Sequence, residues 1–196
     1  MSFPSALTLK PAYNPLDLQN RSLAWQIGAV VVGTLLLALS SYIQVPMVPV
    51  PMNMQTFGVL MIGALYGWRL GAVTIIAWLV EAALGMPVLS GGAAGAHHFV
   101  GPTAGYLFSF PLVGALAGWL VERGWNGHRP VLAFVGMVLS HAVCLAFGAA
   151  WLAGLLGLEK AIALGVTPFL VGTLLKSALG AATLALLVRG KARPSQ

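Results

Sequence analysis

Long apolar segments, separated by short breaks rich in proline, glycine or charge, make up most of this chain. About 20 apolar residues cross a bilayer as one helix, so a length of 196 residues suits six crossings with short loops. Only 7% of the residues are charged, whereas a soluble domain has about 25%. The sequence therefore predicts an all-α integral membrane protein with six transmembrane helices. The segments run about Leu23 to Ile43, Thr56 to Tyr66, Leu70 to Leu84, Ala104 to Val121, Val131 to Leu156 and Leu164 to Val188.

Basic residues sort unequally between the two sides of such a bundle. Six crossings put both termini on one side, which then holds eight Lys or Arg residues, while the other side holds only Lys160. Because cytoplasmic loops are enriched in Lys and Arg, we expect cytoplasmic N- and C-termini. The basic residues stand at segment ends and form no basic face, which argues against nucleic-acid binding. The eight are Lys10, Arg21, Arg69, Arg123, Arg129, Arg189, Lys191 and Arg193.

The same count predicts one transmembrane domain over residues 1–196 in the cytoplasmic (inner) membrane. Residues 23–188 would form the six-helix bundle, with cytoplasmic tails at 1–22 and 189–196. No room remains for a soluble catalytic domain.

Lys176 lies well inside the last apolar segment. A lysine at membrane depth costs roughly 2.5–3.5 kcal/mol even on insertion scales, and such residues usually face the bundle interior. It suits an anionic ligand such as a carboxylate, with Thr173 three residues earlier on the same helical face. The alternative is an ion pair with Glu81 that holds segments three and six together.

Two irregular stretches would reach the same outer half of the bundle. Pro46, Pro49 and Pro51 favour an extended loop, which carries the amides of Asn53 and Gln55. Residues 85–103 contain five glycines and predict a loop without a helix of its own. Glycine lets backbone approach a ligand closely. Further candidate contacts are Gly91, Gly92, Gly101, Glu81 and Tyr106.

Several chemistries find no support in the sequence. Walker, nucleophile-elbow and zinc-protease motifs are absent, and the one cysteine, Cys144, excludes a disulfide framework. His97 and His98 lack enough neighbouring carboxylates or cysteines for a metal site. His141 is interpreted as a packing or hydrogen-bonding residue. We therefore expect no metal, no cofactor and no enzymatic activity.

Five motifs stand in order along the chain. They are Pro49-Val50-Pro51-Met52-Asn53-Met54-Gln55-Thr56, Gly67-Trp68-Arg69-Leu70-Gly71-Ala72, Gly85-Met86-Pro87-Val88, Gly101-Pro102-Thr103-Ala104-Gly105-Tyr106-Leu107 and the run from Pro168 to Lys176. Together, and in register from about Leu23 to Val188, they resemble the BioY family, the biotin-specific substrate-binding (S) components of energy-coupling factor (ECF) transporters.

This resemblance implies the six-helix S-component fold and capture of biotin from outside, beneath the two irregular loops. It implies a transmembrane coupling (T) subunit and two ATPase (A) subunits as partners, with biotin as transported ligand. It leaves a homo-oligomer open. In the family, small residues of the first helix meet the coupling subunit. The matching positions are Ala24, Gly28, Ala29 and Gly33, although internal packing is the alternative for this stripe.

Thr173 departs from the pattern, because an aspartate usually stands three residues before the lysine. A hydroxyl accepts bonds from the ureido N–H groups of biotin more weakly than a carboxylate, so Glu81 is the hypothetical substitute. The alternatives in function are an S component for another small vitamin, thiamine- or lipoate-like, and an intramembrane enzyme that uses His97, His98, Glu81 and Lys176.

Overall fold

The computed structural model describes residues 15–191, so Lys10, Arg193 and most of the predicted tails lie outside the described residues. Helices dominate this part of the chain, with one small hairpin and three single-turn 3₁₀ segments. The α-helices are α1 (Leu23–Tyr42), α2 (Gln55–Tyr66), α3 (Trp68–Ala83), α4 (Ala104–Glu122), α5 (Pro130–Leu156), α6 (Leu158–Gly165) and α7 (Phe169–Lys191). Strands β1 (Gln44–Val45) and β2 (Met52–Asn53) pair antiparallel.

The helix lengths confirm an all-α membrane protein. Within residues 15–191, four helices are long and apolar enough to cross a membrane, namely α1, α4, α5 and α7. Helix α2 has 12 residues and α3 has 16, or about 18 Å and 24 Å at 1.5 Å per residue. Both are shorter than a bilayer core of about 30 Å, so the count of six crossings stays a prediction.

Small residues bring α2, α3 and α4 into backbone contact. A Cβ atom on Gly63 of α2 would lie 1.9 Å from the carbonyl oxygen of Gly114 on α4, and one on Gly118 would lie 2.6 Å from the oxygen of Gly63. Between apolar helices in lipid, such close approach supplies dispersion contacts in place of a hydrophobic driving force. Helix α4 therefore lies at the centre, with α2, α3 and α5 around it.

Two predicted boundaries between helices were wrong. The turn between segments two and three is Gly67 alone, with φ of 81°, and Trp68 already begins α3. The sixth segment is interrupted, because α6 ends at Gly165 and a turn precedes α7. Pro168 thus lies just before α7 rather than inside it. Proline lacks an N–H and fits the start of a helix better than its interior.

The end of segment six and the loop before segment four also differ from the prediction. Helix α7 continues to Lys191, past the predicted start of the tail at residue 189. Residues 85–103, which we call the glycine loop, contain two 3₁₀ turns, Ser90–Gly92 and Ala96–Phe99. The prediction of a loop without any helix was therefore wrong.

One end of the bundle gathers the chain turns that carry arginine, and we call it the basic end. Gln19, which precedes α1, donates to the Tyr66 oxygen at 3.2 Å and to Glu122 Oε1 at 3.4 Å. Glu122 also accepts the Trp68 N–H at 3.2 Å. The loop after α4 reaches α7 there, since a Cβ on Gly127 would lie 2.0 Å from the Leu184 oxygen. The opposite end, with the hairpin, residues 85–103 and α6, is the loop end.

Substitution of Gly63 should test the central packing. Gly63→Ala places a methyl group against the Gly114 carbonyl, and overpacking of this kind costs about 1–3 kcal/mol. We expect a lower midpoint of thermal unfolding in detergent. Gly154→Ala is the matched control, because a Cβ on this α5 glycine meets nothing within 4 Å. Equal unfolding midpoints for the two variants would contradict the close α2–α4 contact.

Candidate ligand-binding site

A cavity of about 400 Å³ opens at the loop end between the hairpin, residues 85–103 and helices α2, α4, α5 and α7. Its volume lies within the range of about 300–1,000 Å³ that is usual for small-molecule sites. Most of the wall is apolar. It is lined by Pro49, Val50, Pro51, Asn53, Gln55, Thr56, Leu89, Ser90, Ala93, His97, His98, Gly101, Pro102, Thr103, Tyr106, Leu107, Phe110, His141, Cys144, Leu145, Phe169, Thr173 and Lys176.

Lys176 supplies the positive charge of this cavity. Its Nζ reaches from α7 to the start of α2, where it donates to the Asn53 backbone oxygen at 2.6 Å and to Thr56 Oγ1 at 3.1 Å. An ammonium group has three protons to donate, so one remains for a ligand. No Asp or Glu from residues 15–191 lines the cavity. The alternative ion pair between Lys176 and Glu81 was wrong.

Asn53 and Gln55 organise the cavity wall through their own hydrogen bonds. Asn53 Nδ2 donates to Gln55 Oε1 at 2.9 Å and to Ser90 Oγ at 3.1 Å. Gln55 Nε2 donates to Ser41 Oγ at 2.9 Å, and Ser90 Oγ donates in turn to Gln44 Oε1. These bonds join the hairpin to the glycine loop and to the end of α1. Both amides therefore reach the cavity with their orientation fixed by neighbours.

Tyr106, Thr173 and Gly101 also line the cavity, in three different ways. The Tyr106 hydroxyl donates to the Gly165 oxygen at 2.7 Å, so the ring forms a wall and its O–H is already used. Thr173 is buried on α7, one turn before Lys176. Gly101 accepts a bond from Trp151 Nε1 at 3.0 Å through its backbone oxygen.

Three of the predicted site residues do not reach the cavity. Glu81 lies in the last turns of α3, outside the lining residues. Gly91 and Gly92 have φ of 65° and 81°, and neither is among the lining residues. Added Cβ atoms would meet Gln44 Nε2 at 2.4 Å and the Tyr42 hydroxyl at 3.2 Å.

The glycine loop contributes two histidines to the cavity mouth. The His97 and His98 rings lie 4.1 Å apart between centroids. Burial lowers the pKa of His98, and the neighbouring His97 lowers it further. Within residues 15–191, no group of three or more His, Cys, Asp or Glu side chains could hold a metal ion.

Sequence reasoning missed two polar side chains of α5 that line the cavity, His141 and Cys144. They lie three residues apart and share one helical face with Leu145. Their three-residue spacing placed both on one helical face. The sequence of a single apolar segment, however, does not indicate which face lines a cavity.

The small-residue stripe of α1 divides into two faces. Ala24 and Gly28 are exposed, and a Cβ on Gly28 would meet nothing within 4 Å. Ala29 packs against the core, and Gly33 is buried where a Cβ would lie 2.5 Å from Thr74 Cγ2. Internal packing therefore accounts for Ala29 and Gly33, whereas Ala24 and Gly28 leave a smooth strip on the outside.

Sequence comparisons with known proteins point to one family. The BioY family model matches residues 14–193. The probable biotin transporter BioY of Pyrococcus horikoshii is 33% identical over 155 residues, which cover 79% of this chain and 91% of the relative. The biotin transporter BioY of Rhizobium etli is 36% identical over 142 residues, 68% of this chain and 75% of the relative.

A solved structure shares the fold. The crystal structure of the S component for biotin from an ECF-type ABC transporter superimposes with a TM-score of 0.74 at 22% sequence identity, covering 86% of this chain and 95% of that one. The likeness in structure concerns the arrangement of helices. Together with the family match over nearly the whole chain, it shows that this protein belongs to the BioY family.

Proposed function

We propose that this protein binds biotin and serves as the substrate-binding component of an ECF-type transporter for biotin uptake. The observation that carries the proposal is the cavity at the loop end, with one ammonium group and no carboxylate among its described lining residues. Relatives of this family are named biotin transporters, and the structural neighbour is named as an S component for biotin.

The lining suits the chemistry of biotin. A bicyclic ring with a thioether and an aliphatic chain fit walls such as Leu107, Phe110 and Phe169. The carboxylate of biotin suits the free proton of the Lys176 ammonium, since charged hydrogen bonds are the strong ones. Thr173, Asn53, Gln55, Gly101 and Tyr106 complete the proposed contact set. Biotin is here the transported ligand and not a cofactor.

We propose an orientation in the membrane from the position of the basic end. Arg21, Arg69, Arg123, Arg129 and Arg189 belong to the elements that meet there, and the positive-inside bias puts that end in the cytoplasm. Six crossings of the cytoplasmic membrane then result if α2 and α3 span it in spite of their length. The cavity faces outside, which is the side from which an uptake system must capture its ligand.

Transport against a gradient needs an energy source, and the sequence contains no Walker nucleotide-binding motif. We propose that a transmembrane coupling subunit and two ATPase subunits supply it, with the smooth strip at Ala24 and Gly28 as the proposed contact with the coupling subunit. Members of this family are transporter components rather than enzymes, so the intramembrane enzyme is not supported.

Calorimetric titration of the purified protein tests the proposal directly. We expect saturable binding of biotin in detergent and no binding of thiamine or lipoate, because these lack the ureido group. Binding of thiamine or lipoate in preference to biotin would favour the alternative vitamin. Absence of binding by all three would contradict the proposed function.

Removal of the ammonium group should weaken biotin binding. Bonds to charged groups contribute about 1.5–3 kcal/mol, so Lys176→Met should lose affinity by roughly 10- to 150-fold. Lys160→Met, on exposed α6, is the matched control and should bind as wild type. Glu81→Gln should also leave affinity unchanged, since Glu81 does not line the cavity.

The methyl ester of biotin tests which ligand group Lys176 contacts. An ester has no negative charge, so we expect the ester to bind the wild type more weakly than biotin does. Ester and biotin should bind Lys176→Met with about equal affinity. Equal affinities of acid and ester for the wild type would contradict the carboxylate–lysine contact.

Membrane orientation can be tested by cysteine labelling in whole cells. Arg123→Cys, at the basic end, should react with an impermeant maleimide only after the membrane is opened. Lys160→Cys, at the loop end, should react in intact cells. The native Cys144 is buried and should give little background. The opposite labelling pattern would contradict cytoplasmic termini.

A further inference from the structure

His141 contains a buried polar atom that the protein does not satisfy. The side chain is 3% exposed and lines the cavity from α5. Its Nε2 is buried without a hydrogen-bond partner, and within the part of the chain that the structure describes no other buried side-chain nitrogen or oxygen is in this state. Unpaired buried polar atoms are rare in folded proteins and point to a partner from outside the chain.

The opposite edge of the ring fixes its tautomer. His141 Nδ1 lies 3.0 Å from the Met137 backbone oxygen and 3.1 Å from Ser177 Oγ. A carbonyl oxygen can only accept, so this distance is attractive only if Nδ1 carries the proton. Nε2 of the neutral ring is then an acceptor with an unused lone pair. The site consequently calls for a ligand N–H or O–H at this position.

His141 and Lys176 reach the cavity from different helices. His141 lines it from α5, where it is the lining residue nearest the basic end. The Lys176 ammonium extends from α7 to the Asn53 oxygen and Thr56 at the start of α2. The lining thus contains a donor near the hairpin and an acceptor on α5.

We infer that His141 is a specificity-determining residue whose Nε2 accepts a hydrogen bond from an N–H of the bound ligand, which for biotin is a ureido N–H. The inference rests on the proposed function for the identity of the ligand. It replaces the hypothesis that Glu81 provides the acceptor, since Glu81 lies outside the cavity lining.

The direction of this hydrogen bond discriminates between ligand groups. A carboxylate has no proton to donate at neutral pH, so it would meet the bare lone pair of Nε2 unfavourably. A ureido or amide N–H is a donor and fits. A ligand that lacks this donor would leave Nε2 unpaired, and sites built to bond a donor reject analogues without it strongly. In this arrangement the ureido ring lies against His141 of α5.

Nitrogen NMR of the wild-type protein tests the bond without any substitution at the site. The chain has four histidines, which can be labelled with ¹⁵N and observed in detergent, with the His141→Gln spectrum as the assignment control. We expect an unprotonated Nε2 for His141 whose signal moves in the direction of a newly accepted hydrogen bond when biotin is added. An Nε2 signal that does not change at saturating biotin overturns the inference.

Affinity measurements provide a second test with its own control. His141→Leu should lower the affinity for biotin about 10-fold, because a ligand N–H would lose its acceptor. Ser140→Ala is the matched control, since Ser140 is buried beside His141, bonds the Gly136 oxygen at 2.9 Å and does not line the cavity. It should bind biotin as the wild type does.

Biotin methyl ester separates the two ligand groups that His141 could contact. The ester keeps both ureido N–H groups, so His141→Leu should lower its affinity by the same factor as for the acid. A loss that occurs with the acid alone would overturn the inference in favour of a carboxylate contact. If the wild type binds biotin but His141→Leu shows no loss for either ligand, this inference fails while the proposed function stands. If the wild type does not bind biotin, the proposed function itself fails.

Discussion

The half-buried ammonium of Lys176 is the constraint on which the loop end depends. A cation inside an apolar bundle must find oxygen partners, because an unpaired buried charge costs several kcal/mol. Lys176 finds them in the Asn53 backbone and Thr56, which requires the hairpin to turn back over α7. The hairpin in turn holds the glycine loop through Asn53 and Ser90. This one charge thereby connects α7, the start of α2 and the loop that closes the cavity.

The bundle has different packing at its two ends, and this difference creates the site. Towards the basic end, Gly63, Gly114 and Gly118 let α2 and α4 touch through their backbones. Towards the loop end, aromatic side chains such as Tyr106 and Phe110 stand between the helices, and a cavity remains among them. Tight packing at one end thus supports an opening at the other without exposing backbone polar groups to lipid.

Local patterns in the sequence predicted the elements well and their surroundings less well. Apolar length identified α1, α4 and α5 almost to the residue. The break before α7 was missed, because hydropathy does not change across Gly165 and Pro168. In the site, a charge as costly as Lys176 could be recognised from its position alone. The position of Glu81 outside the cavity and of His141 on its wall could not be predicted, since each depends on which helical face meets the cavity.

The sequence by itself determined that the chain lies in a membrane, that Lys176 needs a polar partner in the bundle interior, and which family its motifs resemble. These conclusions follow from composition, segment length and residue type, which folding does not alter. Only the tertiary structure decided which polar atoms converge. It leaves Gly91, Gly92 and Glu81 outside the cavity lining and brings His141 of α5 against Ser177 of α7. Helix rotation and crossing set these contacts, and they depend on packing between residues distant in the chain.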